Sequence, residues 1–315
     1  MPLLQITPAR LKSNSAPRLA SLALAAAVLP LFFPMTGCLS LFVSKRKLLV
    51  PVAPSVVQNA SADELVARLN DQWAKFQSLT ATVDLQASHL KTKEGVATDY
   101  PSIRAYLLLR KPNALRILGK APLVQTQLFD LGSDGTRFTM VIPPKNIAYE
   151  GHNASKGTSP NWYENLRPDP FFNAMVVRGL DKDNLYSVTS ENITEEDASN
   201  KRLLLRPEYE LSIVRRKTAD SQELFPVRIV RFHREDLLPY EQDFYDDKGQ
   251  LATQVIYGPY QNFEGTNYPS KITLKRPQDE YQLIMTVERV ASNPTLTDDQ
   301  FQVKVPSGST IQPLQ

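Results

Sequence analysis

Cysteine is almost absent from this chain, because Cys38 is the single cysteine in 315 residues. An intramolecular disulfide is therefore excluded, and the fold must depend on an apolar core. Hydrophobic residues make up 42% of the chain, which is sufficient for such a core. An excess of one charge is lacking too, since 36 Lys and Arg stand against 33 Asp and Glu. The net charge of +3 gives no general attraction to nucleic acid, so we predict no nucleic-acid partner.

The sequence motifs of common enzyme classes are also missing. The chain contains neither a Gly-x-Ser-x-Gly nucleophile elbow nor a Gly-rich phosphate loop. The three histidines, His89, His152 and His233, are not at the helix or hairpin spacing that would support a local metal cluster. We therefore predict no catalytic residue, no metal and no cofactor.

Two groups of acidic residues leave alternatives open. The first, within residues 191–197, lies in a predicted loop and is either a solvated surface or a calcium site. The second, within residues 235–247, could supply the paired carboxylates of glycoside chemistry. It lies on or beside predicted hairpin turns, where acidic residues are common. For both groups we favour the solvated surface.

The N-terminal region has the order of an export signal. Basic residues precede a nearly uncharged apolar run over residues 19–33, and the small residue Gly37 stands directly before Cys38. This stretch is similar to a bacterial lipoprotein signal. The similarity implies that residues 1–37 are a signal peptide and that the mature chain begins at a lipid-modified Cys38.

A transmembrane helix, or an ordinary cleaved signal with an incidental cysteine, are the alternatives to this interpretation. A spanning helix needs about 20 apolar residues. The run is shorter and is interrupted by Pro30 and Pro34, which disfavours spanning. The position of the single cysteine directly after glycine favours the lipoprotein signal over an accidental cysteine.

The residues after Cys38 bear on localisation. In lipoproteins an aspartate at the next position often signals inner-membrane retention, and Leu39 stands here instead. We therefore expect a lipid anchor in the outer membrane, on its periplasmic face. The basic residues 45–47 either lie against anionic head groups or belong to a solvated tether. Residues 38–60, with a Pro-rich stretch at 50–54, are predicted to be a lipid-anchored linker.

Hydrophobic periodicity predicts a mainly β (α+β) domain over residues 61–315. Ser61 and Glu64 have the spacing of a capping box, and apolar residues recur at helical spacing over residues 63–77. From Ala81 the period changes to two, and about a dozen predicted strands follow, the last over residues 301–305. A short apolar helix with Asp169 as its cap interrupts them. Consecutive strands with few helices indicate one curved antiparallel sheet, an open or half barrel with an N-terminal helix and a short helical lid.

The order of these elements resembles the LolA/LolB-like superfamily of periplasmic lipoprotein carriers and receptors. The similarity lies in the first helix, in the strand that ends with Arg110-Lys111-Pro112-Asn113, and in the turn at residues 132–135. It continues in the apolar helix at 169–177 and in residues 296–311 with their Pro-x-Gly exit. The resemblance implies a concave apolar face that binds acyl chains, and a helix that closes its mouth.

Candidate site residues follow from this resemblance together with the alternation along the strands. Phe171, Phe172 and Met175 would form the lid, and Lys111 occupies the position of an arginine that latches the lid in the soluble carrier. Lysine lacks the guanidinium fork, which favours an anchored receptor or sensor over a soluble carrier. The same strand residues would serve equally well as ordinary core. The cavity-lining candidates are Val83, Leu85, Leu107, Leu109, Leu115, Ile117, Phe138, Met140, Leu283 and Met285.

Two functional hypotheses of different classes result. In the first, the protein is a lipid-anchored periplasmic protein, not an enzyme, that binds acyl chains or lipidated proteins and takes part in their transfer to the outer membrane. In the second, it is a structural or sensory envelope lipoprotein that uses the same fold to bind a protein partner, and its own side chains fill the cavity.

Overall fold

The computed structural model describes residues 50–91, 94–155, 159, 161–197 and 202–314. The chain divides into residues 1–48 and 49–315, and every residue described below belongs to the second unit. The predicted signal peptide, Cys38 and residues 39–49 of the predicted linker lie outside the described residues.

The first helix, α1 (Ala62–Lys75), begins with the capping box that the sequence predicts. The Glu64 amide donates to Ser61 Oγ at 3.3 Å, and the Ser61 amide donates to the Glu64 carboxylate at 2.7 Å. The side chains of Leu65, Val66 and Leu69 are buried on one face of the helix. The helix ends two residues before the predicted end, because the backbone becomes extended at Phe76 and continues into the first strand.

The second helix, α2 (Pro168–Met175), confirms the predicted apolar helix, but it begins two residues earlier than a cap at Asp169 implies. Its N-cap is Arg167, which provides no side-chain capping bond, and Asp169 lies in the first turn instead of at the cap. Proline is well tolerated at the first helical position, because the N–H of that residue would have no partner within the helix. Six of its eight residues are buried.

Seventeen strands occur in the described part of the chain. They are β1 (Ser78–Lys91), β2 (Val96–Asp99), β3 (Ile103–Arg110), β4 (Ala114–Lys120), β5 (Gln127–Ser133), β6 (Arg137–Ile142), β7 (Ile147–His152), β8 (Leu185–Asp197), β9 (Arg202–Arg216), β10 (Leu224–His233), β11 (Pro239–Tyr245), β12 (Leu251–Tyr257), β13 (Tyr260–Phe263), β14 (Thr266–Pro269), β15 (Lys271–Arg276), β16 (Tyr281–Ser292) and β17 (Thr310–Leu314).

Fifteen of these strands form one large curved sheet, which confirms the predicted fold class. The order is β17-β7-β6-β5-β4-β3-β1-β16-β15-β12-β11-β10-β9-β8, and β2 pairs with β1. Neighbouring strands are antiparallel except for β17, which is parallel to β7. Because β17 and β8 are the two edges, the sheet stays open and does not close into a barrel. The remaining strands, β13 and β14, form a separate hairpin.

The C-terminal strand prediction is wrong in position. Residues 301–305 are not a strand; a 3-10 turn, Asp298–Phe301, carries the buried Phe301, and the last strand is β17. The capping box of Thr297 with Gln300 stabilises this turn. The residues after this turn lead into β17, which pairs with β7 in parallel. Alternation within residues 301–305 could not indicate that pairing.

The predicted loop at residues 191–197 is wrong as well, because these residues belong to β8. They pair with β9 through to Asp197 opposite Arg202, whose guanidinium forms an ion pair with the Asp197 carboxylate at 3.1 Å. Most of the acidic side chains in this part of β8 are exposed, which agrees with a solvated surface.

Two hydrophobic cores lie on the sheet. The first, here called the central core, combines one face of β1, β3–β7, β12, β15 and β16 with α2. The second, here called the flanking core, joins the buried face of α1 to β9 and β10, with Leu211, Val230 and Phe232 at its centre. Each helix therefore covers a different part of the sheet.

The described end of the predicted linker is extended and bonded to the sheet. The Val52 amide donates to the Leu203 carbonyl, and the Leu205 amide donates to the Val52 carbonyl, both at 2.8 Å. The Gln58 amide donates to the Arg234 carbonyl at 2.6 Å. Residues 52–58 are thus attached to the edge region formed by β8–β10. Within the described residues, neither helix has the length and apolarity needed to cross a bilayer.

Candidate functional site

The ten predicted cavity residues come together on one face of the sheet. Their registers place Leu107 opposite Ile117, and Leu85 opposite Met285. All ten belong to the central core, and none is more than 6% exposed. The structure therefore gathers them as alternation implied, in a packed arrangement; a lining role toward a ligand stays a prediction.

The three predicted lid residues of α2 lie against this same face. Phe171, Phe172 and Met175 are buried in the central core. The Phe172 ring meets the rings of Trp73 and Phe76 edge-to-face, with centroid distances of 6.4 and 6.2 Å. The protein's own aromatic side chains thus pack against this face of the sheet.

Empty space lies beside the C-terminal end of α2, in what we call the mouth cavity. Its volume is about 360 Å³. The end of α1, the start of β1, residues 175–177 and the hairpin β13–β14 surround it. Among the predicted site residues, Met175 lines it. Its main apolar and aromatic lining residues are Phe76, Leu79, Met175, Val176, Val177, Leu238, Tyr257, Tyr260 and Tyr268.

The mouth cavity is chemically suited to an apolar guest. Burial raises the pKa of Tyr257, Tyr260 and Tyr268 above the ordinary value of 10.0, so these hydroxyls are neutral at pH 7. All three hydroxyls are engaged. Tyr268 Oη donates to the Met175 carbonyl at 2.6 Å, Tyr260 Oη donates to the Pro239 carbonyl at 2.9 Å, and Tyr257 Oη accepts from Gln242 Nε2 at 2.5 Å. The lining therefore offers mostly carbon surface, together with polar side chains that include Lys75, Asn267 and Asn293.

Sequence reasoning missed most of this lining. Residues 260–269 form the hairpin β13–β14, which stands apart from the main sheet and closes one side of the cavity. Three tyrosines at 257, 260 and 268 and the turn residue Gly265 (φ 95°) were the available signal. Their position over the mouth depends on contacts of the hairpin with β16, which are remote in sequence.

The predicted latch residue, Lys111, contacts α1. Its Nζ donates to the Trp73 carbonyl at 2.9 Å and lies 4.4 Å from the centre of the Trp73 ring. Trp73 in turn contacts Phe172 of α2. Lys111 therefore contacts Trp73, which in turn contacts the lid helix α2, and a latch role for Lys111 stays a prediction.

The described residues contain no group of three or more His, Cys, Asp or Glu side chains placed to hold a metal ion. The acidic residues of β11 pair with an arginine. Arg231 forms ion pairs with Glu241 at 2.5 Å and with Asp243 at 2.7 Å. The same guanidinium pairs with Glu210 on β9 at 3.0 Å. These carboxylates are thus used in a structural network across three strands.

Comparison with known proteins gives similar solved structures and no curated relative. No curated protein matches the sequence. One family model, described as "-like: Uncharacterized protein", matches residues 180–305. Among solved structures, the chain is similar to a DUF1329 family protein from Desulfovibrio piger, with 14% identity, coverage of 76% of this chain and 95% of that chain, and a TM-score of 0.48.

Two further solved structures have comparable similarity. A LolA superfamily protein from Nitrosomonas europaea shares 11% identity over 78% of this chain and 99% of its own, with a TM-score of 0.47. An outer membrane lipoprotein-sorting protein domain from Vibrio parahaemolyticus shares 12% identity over 76% and 94%, with a TM-score of 0.44. The superfamily that the sequence resembles is thus among the similar structures. At these identities and TM-scores, the similarity assigns no family and no activity to the chain.

Proposed function

We propose that this protein is a lipid-anchored periplasmic protein that binds acyl chains, free or attached to lipoproteins, at the mouth cavity. The observation that carries the proposal is this cavity of about 360 Å³, bordered by the ends of both helices and by the β13–β14 hairpin. Its size lies at the lower end of the range for small-molecule sites. Burial of a chain there would contribute about 25 cal/mol per Å² of apolar surface.

A longer chain requires more space than the mouth cavity alone, and α2 is the element that can provide it. Apolar contacts hold most of α2 on the sheet, together with the bond from Tyr268 Oη to the Met175 carbonyl. A helix of eight residues without a side-chain cap is marginal in isolation. An acyl chain offers the central core the same kind of surface as Phe171 and Phe172, so it could replace them when α2 swings away.

The anchor completes the proposal. Acylation of Cys38 would hold the domain on the outer membrane, on its periplasmic face, since each buried methylene contributes about 0.8 kcal/mol and several chains together bind firmly. The protein would then receive or pass on lipidated cargo by transferring apolar surface from one protected site to another. No chemical step is needed for this function.

A neutral long-chain probe tests cavity binding. We expect a fluorescent fatty alcohol to bind the domain from residue 50 onward, and Val177→Trp to weaken binding at least tenfold because the indole would fill the mouth cavity. Val96→Trp is the matched control, since Val96 is exposed on β2 and does not line the cavity. Equal binding by wild type and Val177→Trp would contradict the site, and absence of binding by wild type would contradict carriage.

Membrane attachment has a separate test. We expect Cys38→Ser in the full chain to move the protein from the membrane fraction to the soluble periplasmic fraction. Mass spectrometry of the N-terminal peptide should detect acyl chains on Cys38 in the wild type. Unmodified Cys38, or membrane association unchanged by the substitution, would contradict the lipid anchor.

One observation favours the second candidate, a lipoprotein that binds a protein partner. The concave face is filled by the chain's own side chains, with Phe171 and Phe172 among the largest fully buried groups. If this filling is permanent, the fold serves as a scaffold. Organic extraction of the purified domain followed by lipid mass spectrometry separates the two candidates: co-purified lipid supports carriage, and a lipid-free extract without probe uptake supports the scaffold.

A further inference from the structure

A second cavity, here called the arginine pocket, lies where the chain leaves α2. Its volume is about 230 Å³, and Trp73, Asn173, Arg178, Asp181, Arg228 and Phe244 are among its lining residues. Arg228 stands on the same face of β10 as the core residues Val230 and Phe232. A charged side chain on this apolar face is unexpected, because burying an ion without a counter-ion is unfavourable.

Arg228 is buried and has only neutral partners. It is 6% exposed, and its guanidinium donates to Gln242 Oε1 at 3.4 Å and to the Gly179 carbonyl at 3.3 Å. Both bonds are long for a charged donor, which usually bonds at about 2.7–2.9 Å. Burial lowers the pKa of Arg228 to about 10, so it keeps its proton at pH 7. A full positive charge is therefore held here with weak compensation.

Arg178 brings a second positive charge to the same pocket. Its guanidinium carbon lies 4.7 Å from the Phe172 ring centre and 5.6 Å from the Trp73 ring centre. Its Nε is buried and has no hydrogen-bond partner, and the same holds for Asn173 Oδ1. Among the described residues, neither Arg178 nor Arg228 forms an ion pair with a carboxylate, although the charges of Asp169 and Asp181 act on Arg178 and that of Asp181 acts on Arg228.

Two guanidinium groups at one cavity repel each other, and the burial of both is unfavourable unless an anion joins them. Arginine presents a planar fork that matches the oxygens of a carboxylate or a phosphate. The unpartnered Arg178 Nε and the long bonds of Arg228 leave donors available to such a ligand.

The two cavities are adjacent, and hydrogen-bonded side chains lie between them. Gln242, which accepts from Arg228, donates through Nε2 to Tyr257 Oη, and Tyr257 lines the mouth cavity. Along the backbone, residues 175–177 line the mouth cavity and Arg178 follows directly in the arginine pocket. A single molecule with an apolar chain and an anionic end could therefore use both.

We propose that the arginine pocket binds the oxyanion head group, carboxylate or phosphate, of an amphiphile whose apolar chain occupies the mouth cavity. This inference rests on the proposed function and specifies its ligand class. The binding preference for an anionic over a neutral head group would come from Arg178 and Arg228, and the chain length preference from the mouth cavity.

The first experiment compares palmitate with hexadecanol, which differ in the head group, by titration of the domain with each. We expect palmitate to bind the wild type at least tenfold more tightly. Arg228→Met and Arg178→Met should each remove this preference, because they weaken palmitate binding far more than hexadecanol binding. Arg104→Met is the control, because it removes one positive charge at an exposed position of β3 that pairs with Glu288. Equal binding of the two ligands by wild type, or an unchanged preference in Arg228→Met, would overturn the inference.

The second experiment uses inorganic phosphate and thermal unfolding. Phosphate should raise the melting temperature of the wild type and of Arg104→Met, and have little effect on Arg228→Met, since only an anion bound to the folded state stabilises it. Phosphate should also bind more weakly than palmitate. If it binds as tightly, the ligand is a free anion and the amphiphile is wrong.

The two proposals fail differently. If neither palmitate nor hexadecanol binds, acyl-chain carriage fails; a phosphate effect that depends on Arg228 would then still support the anion site, and its absence would overturn that site too. If hexadecanol binds and palmitate has no advantage, carriage stands and the head-group inference is wrong. Circular dichroism of each variant confirms that the fold is retained.

Discussion

The central and flanking cores are covered by two helices of opposite character. α1 has a capping box, exposed charged residues and one buried stripe that contains Leu65 and Leu69. α2 has no side-chain cap, and six of its eight residues are buried. α1 combines local stabilisation with packing, whereas α2 remains helical mainly because it is packed on the sheet.

This difference explains where the empty space lies. The end of α1 and the end of α2 approach each other at Trp73, Phe76 and Phe172, and both cavities open beside this contact. Because α1 is capped and α2 is not, we expect α1 to stay in place and α2 to be the element that moves in the proposed function.

The largest expected effect is the loss of a buried side chain from one of the two helices. Phe172→Ala should lower the free energy of unfolding by about 3–5 kcal/mol, because a fully buried ring leaves a cavity behind. Leu69→Ala on the buried face of α1 should lower the free energy of unfolding by about 2–5 kcal/mol for the same reason. Urea denaturation measures both.

Together, Phe172→Ala and Leu69→Ala test whether α2 stays packed on the sheet. If Phe172→Ala costs less than about 1 kcal/mol while Leu69→Ala has its full effect, α2 spends much of its time away from the sheet. Hydrogen exchange at residues 171–175 would then be fast in the wild type. Such a result would contradict α2 as the normal cover of the central core.

Lys111→Met is expected to have a smaller effect, of about 1–2 kcal/mol. It removes a charged hydrogen bond to the Trp73 carbonyl and a cation–π contact with the Trp73 ring. If Lys111 stabilises only α1, thermal stability falls and binding of the neutral probe is unchanged. An increase in probe binding would instead support the predicted latch.

Ser61→Ala should lower stability by about 1 kcal/mol, because it removes the side-chain bond to the Glu64 amide at the start of α1. Ser61→Thr is the matched control and should retain most of the stability. No corresponding substitution exists in α2, whose N-cap residue makes no capping bond. A Ser61→Ala protein with unchanged melting temperature would show that α1 needs no local stabilisation and would weaken the comparison.

The smallest expected effect is a pH dependence of stability that comes from His233 at the end of β10. Burial, followed by the charge of Arg206, lowers the pKa of His233 below its ordinary value of 6.5. As pH falls below 6.5, the unfolded chain binds a proton that the folded chain does not, so stability decreases. His233→Phe keeps the stacking on Tyr240, whose ring centre is 4.0 Å away, and should flatten this decrease. An identical pH profile for the two proteins would contradict the assignment.

Local patterns in the sequence were sufficient for α1, for most strands and for part of the central core. A capping box at Ser61 and Glu64, and alternation at Val83 and Leu85, depend on neighbours within a few residues, and the structure has them as predicted. The position of β17 beside β7 and the strand pairing of residues 191–197 are non-local. Alternation within a segment contains no information about which strand will lie beside it.

The candidate site divides in the same way. The apolar residues of the strands and of α2 could be identified from periodicity, because burial of one face imposes a period of two or 3.6. The sequence alone also determined an open mainly β fold and excluded disulfides. Only the tertiary structure decided that the predicted cavity residues are packed in a core, that the hairpin β13–β14 borders the remaining space, and that Arg178 and Arg228 line one pocket beside it. Cavities are differences between packed surfaces, and those surfaces come from segments far apart in the chain.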